Sequence, residues 1–132
     1  MSKPVKQAIV STAGPSGTGP YPPALVVGDM VYVSGQGPLD PVSHKVTGDT
    51  FAEQMRLTFQ NVAAHLAAAG SSLEDAVKIN VYLADPTFYN EYNALYRDLV
   101  PEPWPARTTI ACTLFGIMIE VDCTAMRKNS EI

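Results

Sequence analysis

Apolar and polar residues alternate along this chain with two different periods, and the change of period marks its elements. Residues 77–83 (VKINVYL) alternate throughout, which predicts a strand with one buried face. Ile117, Ile119, Val121, Cys123 and Ala125 alternate with Met118, Glu120, Asp122 and Thr124. This predicts a last strand over 117–126 that turns the first set to the core. Residues 106–113 read as the strand before it. Near the N-terminus, 5–10, 24–27 and 30–34 read as three short strands, the latter two joined through Gly28-Asp29 as a hairpin. Gly35, Gly37, Pro38 and Pro41 end that hairpin, and 39–48 is a polar connection.

Elsewhere the period lengthens to that of a helix. Phe51, Met55, Phe59, Val62, Leu66 and Ala69 recur three or four apart, giving one apolar helical face. Thr50 and Glu53 stand at capping-box spacing before it, and Gly70 stops it. Asp85-Pro86 reads as a cap followed by proline at the first helical position. Phe88, Tyr92, Leu95 and Leu99 form the stripe of this second helix, and Pro101, Pro103 and Pro105 break it and stiffen the next connection. The order β-β-β-α-β-α-β-β predicts an α+β two-layer sandwich: a roughly six-stranded mixed sheet with two helices on one face, in one domain over 1–132. The local reading pairs the last two strands as a hairpin. The second face of the sheet has no helix to cover it, so it faces water or another subunit, and the low charge content favours a subunit. The tail from Arg127 is polar and expected to fray.

Composition narrows the function classes. The chain has 132 residues, 17% charged, with a net charge of −4. Its basic residues form no run or stripe, so a nucleic-acid partner is not expected. No apolar stretch reaches membrane-spanning length, and the N-terminal residues do not read as a signal peptide. The cytosol is the expected compartment. Cys112 and Cys123 read as small buried thiols, and His44 and His65 lie far apart, on a loop and a helix. No metal site and no cofactor is expected.

Candidate chemistry is sparse. Arg107 and Thr109 lie two apart on a strand and share a face. Arg107 follows the stiff proline connection, where its planar fork can meet a carboxylate. Glu120 faces away from the core. Each has a plain alternative: a strand arginine is commonly an ion-pair partner, and Glu120 could be that partner. Tyr21, in the Gly/Pro-rich loop 11–23, reads either as a binding residue or as packing for its loop. No nucleophile elbow, P-loop, zinc helix or dinucleotide fingerprint occurs.

Six segments in order resemble the RidA (YjgF/YER057c/UK114) family: GTGPYPPA at 17–24, VYVSGQGPLDP at 31–41, NVAAHLAAAGSSLEDAVKINVYLAD at 61–85, YNEYNALY at 89–96, PARTTI at 105–110 and IEVDCTA at 119–125. The resemblance covers nearly the whole chain. It implies a chorismate-mutase-like fold of the bacillar type, assembled as a homotrimeric barrel, with the final strand inserted between earlier ones rather than paired as a hairpin. It implies hydrolysis of reactive 2-enamine and 2-imine acids, such as 2-aminoacrylate, to 2-keto acids and ammonia. By motif, Arg107 would grip the substrate carboxylate and Glu120 would position and polarise water. Tyr21, Ser34, Gly35, Asn93 and Thr109 would bind substrate in sites shared between subunits. The implied partners are a small imino or keto acid and two further copies of the chain. An imine carbon is already electrophilic, so a placed cation and a placed base suffice.

The chain departs from the family pattern at three places. Thr109 stands where cysteine is usual, Pro22 follows Tyr21 where serine is common, and the link 113–116 is short and apolar through Leu114 and Phe115. The competing readings are a non-enzymatic trimer that binds a carboxylate metabolite or acts as a chaperone, and an endoribonuclease or translation inhibitor. The acidic balance and the lack of a His/Lys catalytic pair count against the last. Retention of both Arg107 and Glu120 favours the deaminase, since a binder needs only the arginine.

Overall fold

Thr50 caps the first helix as its sequence implies. In the computed structural model, which describes residues 5–10 and 12–128, the Thr50 hydroxyl accepts from the Glu53 amide at 3.2 Å, and the Glu53 carboxylate accepts from the Thr50 amide at 3.2 Å. That helix, α1, spans Phe51–Ala68. Gly70 follows its end at φ +81°, a backbone angle that side chains resist. The strands are β1 (Lys6–Ile9), β2 (Ala24–Val27), β3 (Met30–Gln36), β4 (Ala76–Leu83), β5 (Ala106–Ala111) and β6 (Ile119–Met126), with α2 (Tyr89–Leu99) between β4 and β5. The order of elements is the predicted one. Two 3₁₀ turns, Leu73–Asp75 and Pro86–Phe88, complete it. The Asp85-Pro86 cap therefore opens a 3₁₀ turn, with the Asp85 carboxylate accepting from the Thr87 amide at 2.8 Å, and α2 begins only at Tyr89.

The sheet runs β1-β2-β3-β6-β4-β5. β6 lies antiparallel between β3 and β4, and β4 pairs with β5 in parallel. The local hairpin of the last two strands is thus not formed. Burial explains why. Ile119, Val121, Cys123 and Ala125 are at most 2% exposed, so β6 needs neighbours on both sides. β5 has no fully buried residue and takes the edge. β3 continues two residues past Ser34 to Gln36, with a register shift against β6 between Val33 and Gln36. Such a bulge re-aims side chains locally. The tail is also better tied than expected: the Arg127 and Lys128 amides donate to the Asp29 and Gly70 carbonyls at 2.8 Å each. Residues 129–132 lie outside the described residues.

Both helices pack on one face of the sheet. The α1 stripe of Phe51, Met55, Phe59, Val62 and Leu66 is buried against Val31, Ile79, Val81, Val121 and Cys123. Each such side chain contributes about 1.5–3 kcal/mol by leaving water. The α2 stripe is centred on Tyr92 and Tyr96, with Phe88, Leu95 and Leu99 only partly buried; Tyr96 lies outside the stripe that periodicity predicts. Two buried polar residues on α1 hold the connection after β3. Asn61 donates to the Gly37 and Leu39 carbonyls, and Gln54 donates to the Gly48 carbonyl while accepting from the Met118 amide.

The opposite face carries no helix among the described residues. Leu25, Tyr32, Tyr82, Ile110 and Met126 lie there among polar residues, and Tyr32, Ile110 and Met126 are 45–48% exposed. Cys123 is buried as expected, whereas Cys112 is only part-buried.

Candidate functional site

Register sorts the candidate residues onto opposite faces of the sheet. On β5, Arg107 pairs with Ile79 and Thr109 with Val81. Ile79 and Val81 face the helices, so Arg107 and Thr109 do too. On β6, Glu120 pairs with Tyr82 and sits between the core residues Ile119 and Val121. It therefore faces the helix-free side. An Arg107–Glu120 ion pair within one chain is not formed.

The Arg107 group gathers between β5 and α2. Its guanidinium carbon lies 4.7 Å from the ring centroids of both Tyr92 and Tyr96. The Tyr92 and Thr109 hydroxyls are 2.7 Å apart. Beside them opens a cavity of about 300 Å³, lined by Asn93, Tyr96, Arg97, Trp104, Pro105 and Arg107. The Trp104 indole N–H donates to the Val100 carbonyl at 3.1 Å, closing the proline connection onto the end of α2. Among the described residues, Arg107 has no carboxylate partner. Asn93, one turn from Tyr89 and Tyr96, lines this cavity.

The Glu120 group forms a second cavity, of about 350 Å³, lined by Tyr21, Gly35 and Glu120 and on its apolar side by Leu39, Phe115 and Ile117. Gly35 leaves the carboxylate its present position: a Cβ there would lie 2.5 Å from Glu120 Oε2, and the end of that side chain would have to swing away. Burial, and then the nearby Asp122 charge, push the Glu120 carboxyl above its ordinary pKa. Asp122 is itself held by Asn80 and by the Tyr82 hydroxyl, both donating at 2.8 Å; that bond pushes the Tyr82 phenol up to about 12. No donor occupies the Glu120 carboxylate among the described residues. Ser34 is placed differently from the others. Its hydroxyl donates to the Pro22 carbonyl at 2.7 Å and its amide to the Pro23 carbonyl at 2.9 Å, so it pins the Tyr21 loop to β3.

That loop has a further anchor which the sequence did not announce. His65, fully buried on α1, bonds the Pro15 carbonyl at 3.0 Å, and Gly14 lies flat on its ring: a Cβ at Gly14 would be 2.5 Å from His65 Nε2. Desolvation lowers the His65 pKa. Nothing in the spacing of residues 14, 15 and 65 signals this contact. Among the described residues, no cluster of His, Cys, Asp and Glu is placed to hold a metal ion.

A family model described as Endoribonuclease L-PSP matches residues 11–127. The chain belongs to this family, the RidA family. It is similar to the human 2-iminobutanoate/2-iminopropanoate deaminase, with 31% identity over 129 residues, 96% of this chain and 94% of that protein. It is 40% identical over 112 residues to the mitochondrial protein mmf2 of Schizosaccharomyces pombe, covering 81% of this chain and 87% of the other. Its structure matches the crystal structure of RidA from the Antarctic bacterium Psychrobacter sp. PAMC 21119 with a TM-score of 0.86 at 32% identity, over 91% of this chain and 98% of that one. The RidA fold of this chain is the α+β architecture described above. No described helix is long and apolar enough to cross a membrane.

Proposed function

We propose that this RidA-family protein hydrolyses reactive 2-imino and 2-enamine acids to 2-keto acids and ammonia, in sites completed between the subunits of a homotrimer. The observation that carries the reading is the split itself. One chain offers an unpaired arginine on one side of its sheet and an unpaired, pKa-raised carboxylate on the other, each in its own cavity. The two halves complement each other only if Arg107 of one copy meets Glu120 of the next. The helix-free face, with exposed Tyr32, Ile110 and Met126, favours such assembly.

In the joined site the Arg107 fork fixes the substrate carboxylate. Glu120 accepts a proton from water as its oxygen attacks the imine carbon. Glu120 returns that proton to the nitrogen of the resulting carbinolamine, and ammonia leaves as the C–N bond breaks and the hydroxyl gives up its proton to become the C=O of the keto acid. The raised Glu120 pKa suits this, because a base nearer neutral pH transfers protons in both directions more readily. Tyr21 and Asn93 border the substrate space, Thr109 stands behind it on the Tyr92 hydroxyl, Gly35 makes room for the base, and Ser34 acts through the loop it pins. Among the described residues the two cavities present Arg97 and Arg107 but no His or Lys, which weighs against RNA cleavage. We assign the activity to the cytosol, with the fission-yeast relative pointing to mitochondria as the alternative compartment.

A coupled assay tests the reading. A dehydratase generates 2-aminoacrylate or 2-aminocrotonate, and semicarbazide traps what remains. The protein is expected to suppress semicarbazone formation and speed keto-acid release. Unchanged trapping with both substrates over a wide protein range would remove the deaminase.

A further inference from the structure

On the proposed reading Arg107 works with the edge of its guanidinium, and something must hold the plane of that group. Tyr92 and Tyr96 stand one turn apart on α2 and share a face. Their ring centroids are 5.9 Å apart, inclined at 67°, and each lies 4.7 Å from the Arg107 guanidinium carbon. A cation at that distance over a ring face is held by the ring quadrupole. Both rings are fixed in turn. Tyr96 packs edge-on against Phe59 of α1, 6.0 Å away at 88°. Tyr92 is fully buried, and its hydroxyl bonds Thr109 at 2.7 Å. The strand that carries the arginine thereby also fixes one of the rings that hold it.

Burial raises the pKa of both phenols, that of Tyr96 to about 12. The rings are neutral and leave the guanidinium charge uncompensated. A thiol at position 109 would be a weak hydrogen-bond partner, whereas the Thr109 hydroxyl both donates and accepts.

We propose that Tyr92 and Tyr96 are positioning residues that clamp the Arg107 guanidinium, and that the Thr109 hydroxyl sets the clamp by locking the Tyr92 ring. The residue in the usual cysteine position thus acts here through a phenol rather than on the substrate. The inference rests on Arg107 being the carboxylate grip.

The test uses the whole chain, with KM and kcat for imine hydrolysis, pyruvate affinity and melting temperature read in parallel. Thr109→Val and Tyr92→Phe each remove one side of the same hydrogen bond with little change of volume. Each is expected to raise KM and weaken pyruvate binding by about five-fold, the loss of roughly one neutral hydrogen bond. The double variant is expected to be no worse than either single. Tyr96→Leu is expected to raise KM further, and Tyr96→Phe to recover most of that loss by restoring the ring. In an Arg107→Lys background, Thr109→Val is expected to have no added effect, because no plane remains to be set. Wild-type KM and pyruvate affinity in Thr109→Val and Tyr92→Phe, or effects that multiply in the double variant, would overturn the clamp. So would a fall in melting temperature alone. Pyruvate affinity separates the two proposals. If the wild type hydrolyses no imine but these variants still weaken pyruvate binding, the deaminase falls and the clamp stands.

Discussion

The cavities that hold Arg107 and Glu120 are built by opposite means. The Arg107 side is made of regular structure: a strand, a helix, two buried rings and a hydrogen bond between strand and helix hold the cation. The Glu120 side is made of close approaches. Gly35 leaves room for the carboxylate, a bulge in β3 turns the backbone, and a loop carrying Tyr21 is pinned by Ser34 and His65. The difference fits the two tasks proposed for these residues. Gripping a fixed carboxylate calls for a rigid plane. Moving a proton calls for a carboxylate with open coordination and a tuned pKa, and packing that would fix every atom would also occupy its lone pairs.

The strongest way to break this comparison is to inactivate each half separately. Arg107→Ala is expected to lose carboxylate binding by about 2–4 kcal/mol, and Glu120→Gln to keep binding while turnover falls about 10²-fold or more. If sites join Arg107 of one copy to Glu120 of the next, trimers refolded from a mixture of the two inactive variants regain activity, in roughly a quarter of their sites at equal mixing. Mixed trimers as inactive as the parents, with mixing shown by mass, would sink the shared site. A stable monomer of 14.2 kDa by light scattering would do the same.

A smaller effect sharpens the steric argument. Gly35→Ala puts a methyl 2.5 Å from Glu120 Oε2, so the carboxylate must swing aside, and is expected to lower kcat about 10-fold, with pyruvate affinity near wild type because Arg107 is untouched. Equal losses in kcat and pyruvate affinity would mean that the two halves are not independent.

The smallest effect concerns the loop anchor and is read as stability. His65 has a folded pKa below its ordinary 6.5, so the unfolded chain binds its proton more readily. Stability then rises with pH between the folded pKa and about 6.5, and is lost as pH falls through that window. Denaturant unfolding at pH 5 and pH 7 is expected to show the slope in wild type and a flatter one in His65→Gln, which keeps a donor for the Pro15 carbonyl. An unchanged slope would assign the pH dependence to other groups.

Much of this molecule is legible from its residue pattern. Period and caps locate both helices and all six strands, because burial of one face and satisfaction of end groups are local constraints. The uncovered sheet face follows from counting helices. The ordered motifs point to the family and, through it, to the insertion of β6, which local reasoning alone pairs as a hairpin. Spacing also places Arg107 with Thr109 and turns Glu120 away from the core. Only the tertiary structure decided that Arg107 and Glu120 lie on opposite faces, since that depends on how β5 registers against β4 and not on either strand alone. It alone showed Tyr92 and Tyr96 around Arg107, His65 under the loop at Pro15, and Gly35 against Glu120. Each of these contacts joins residues far apart in sequence, and each depends on side-chain directions that are fixed only when the layers close on one another.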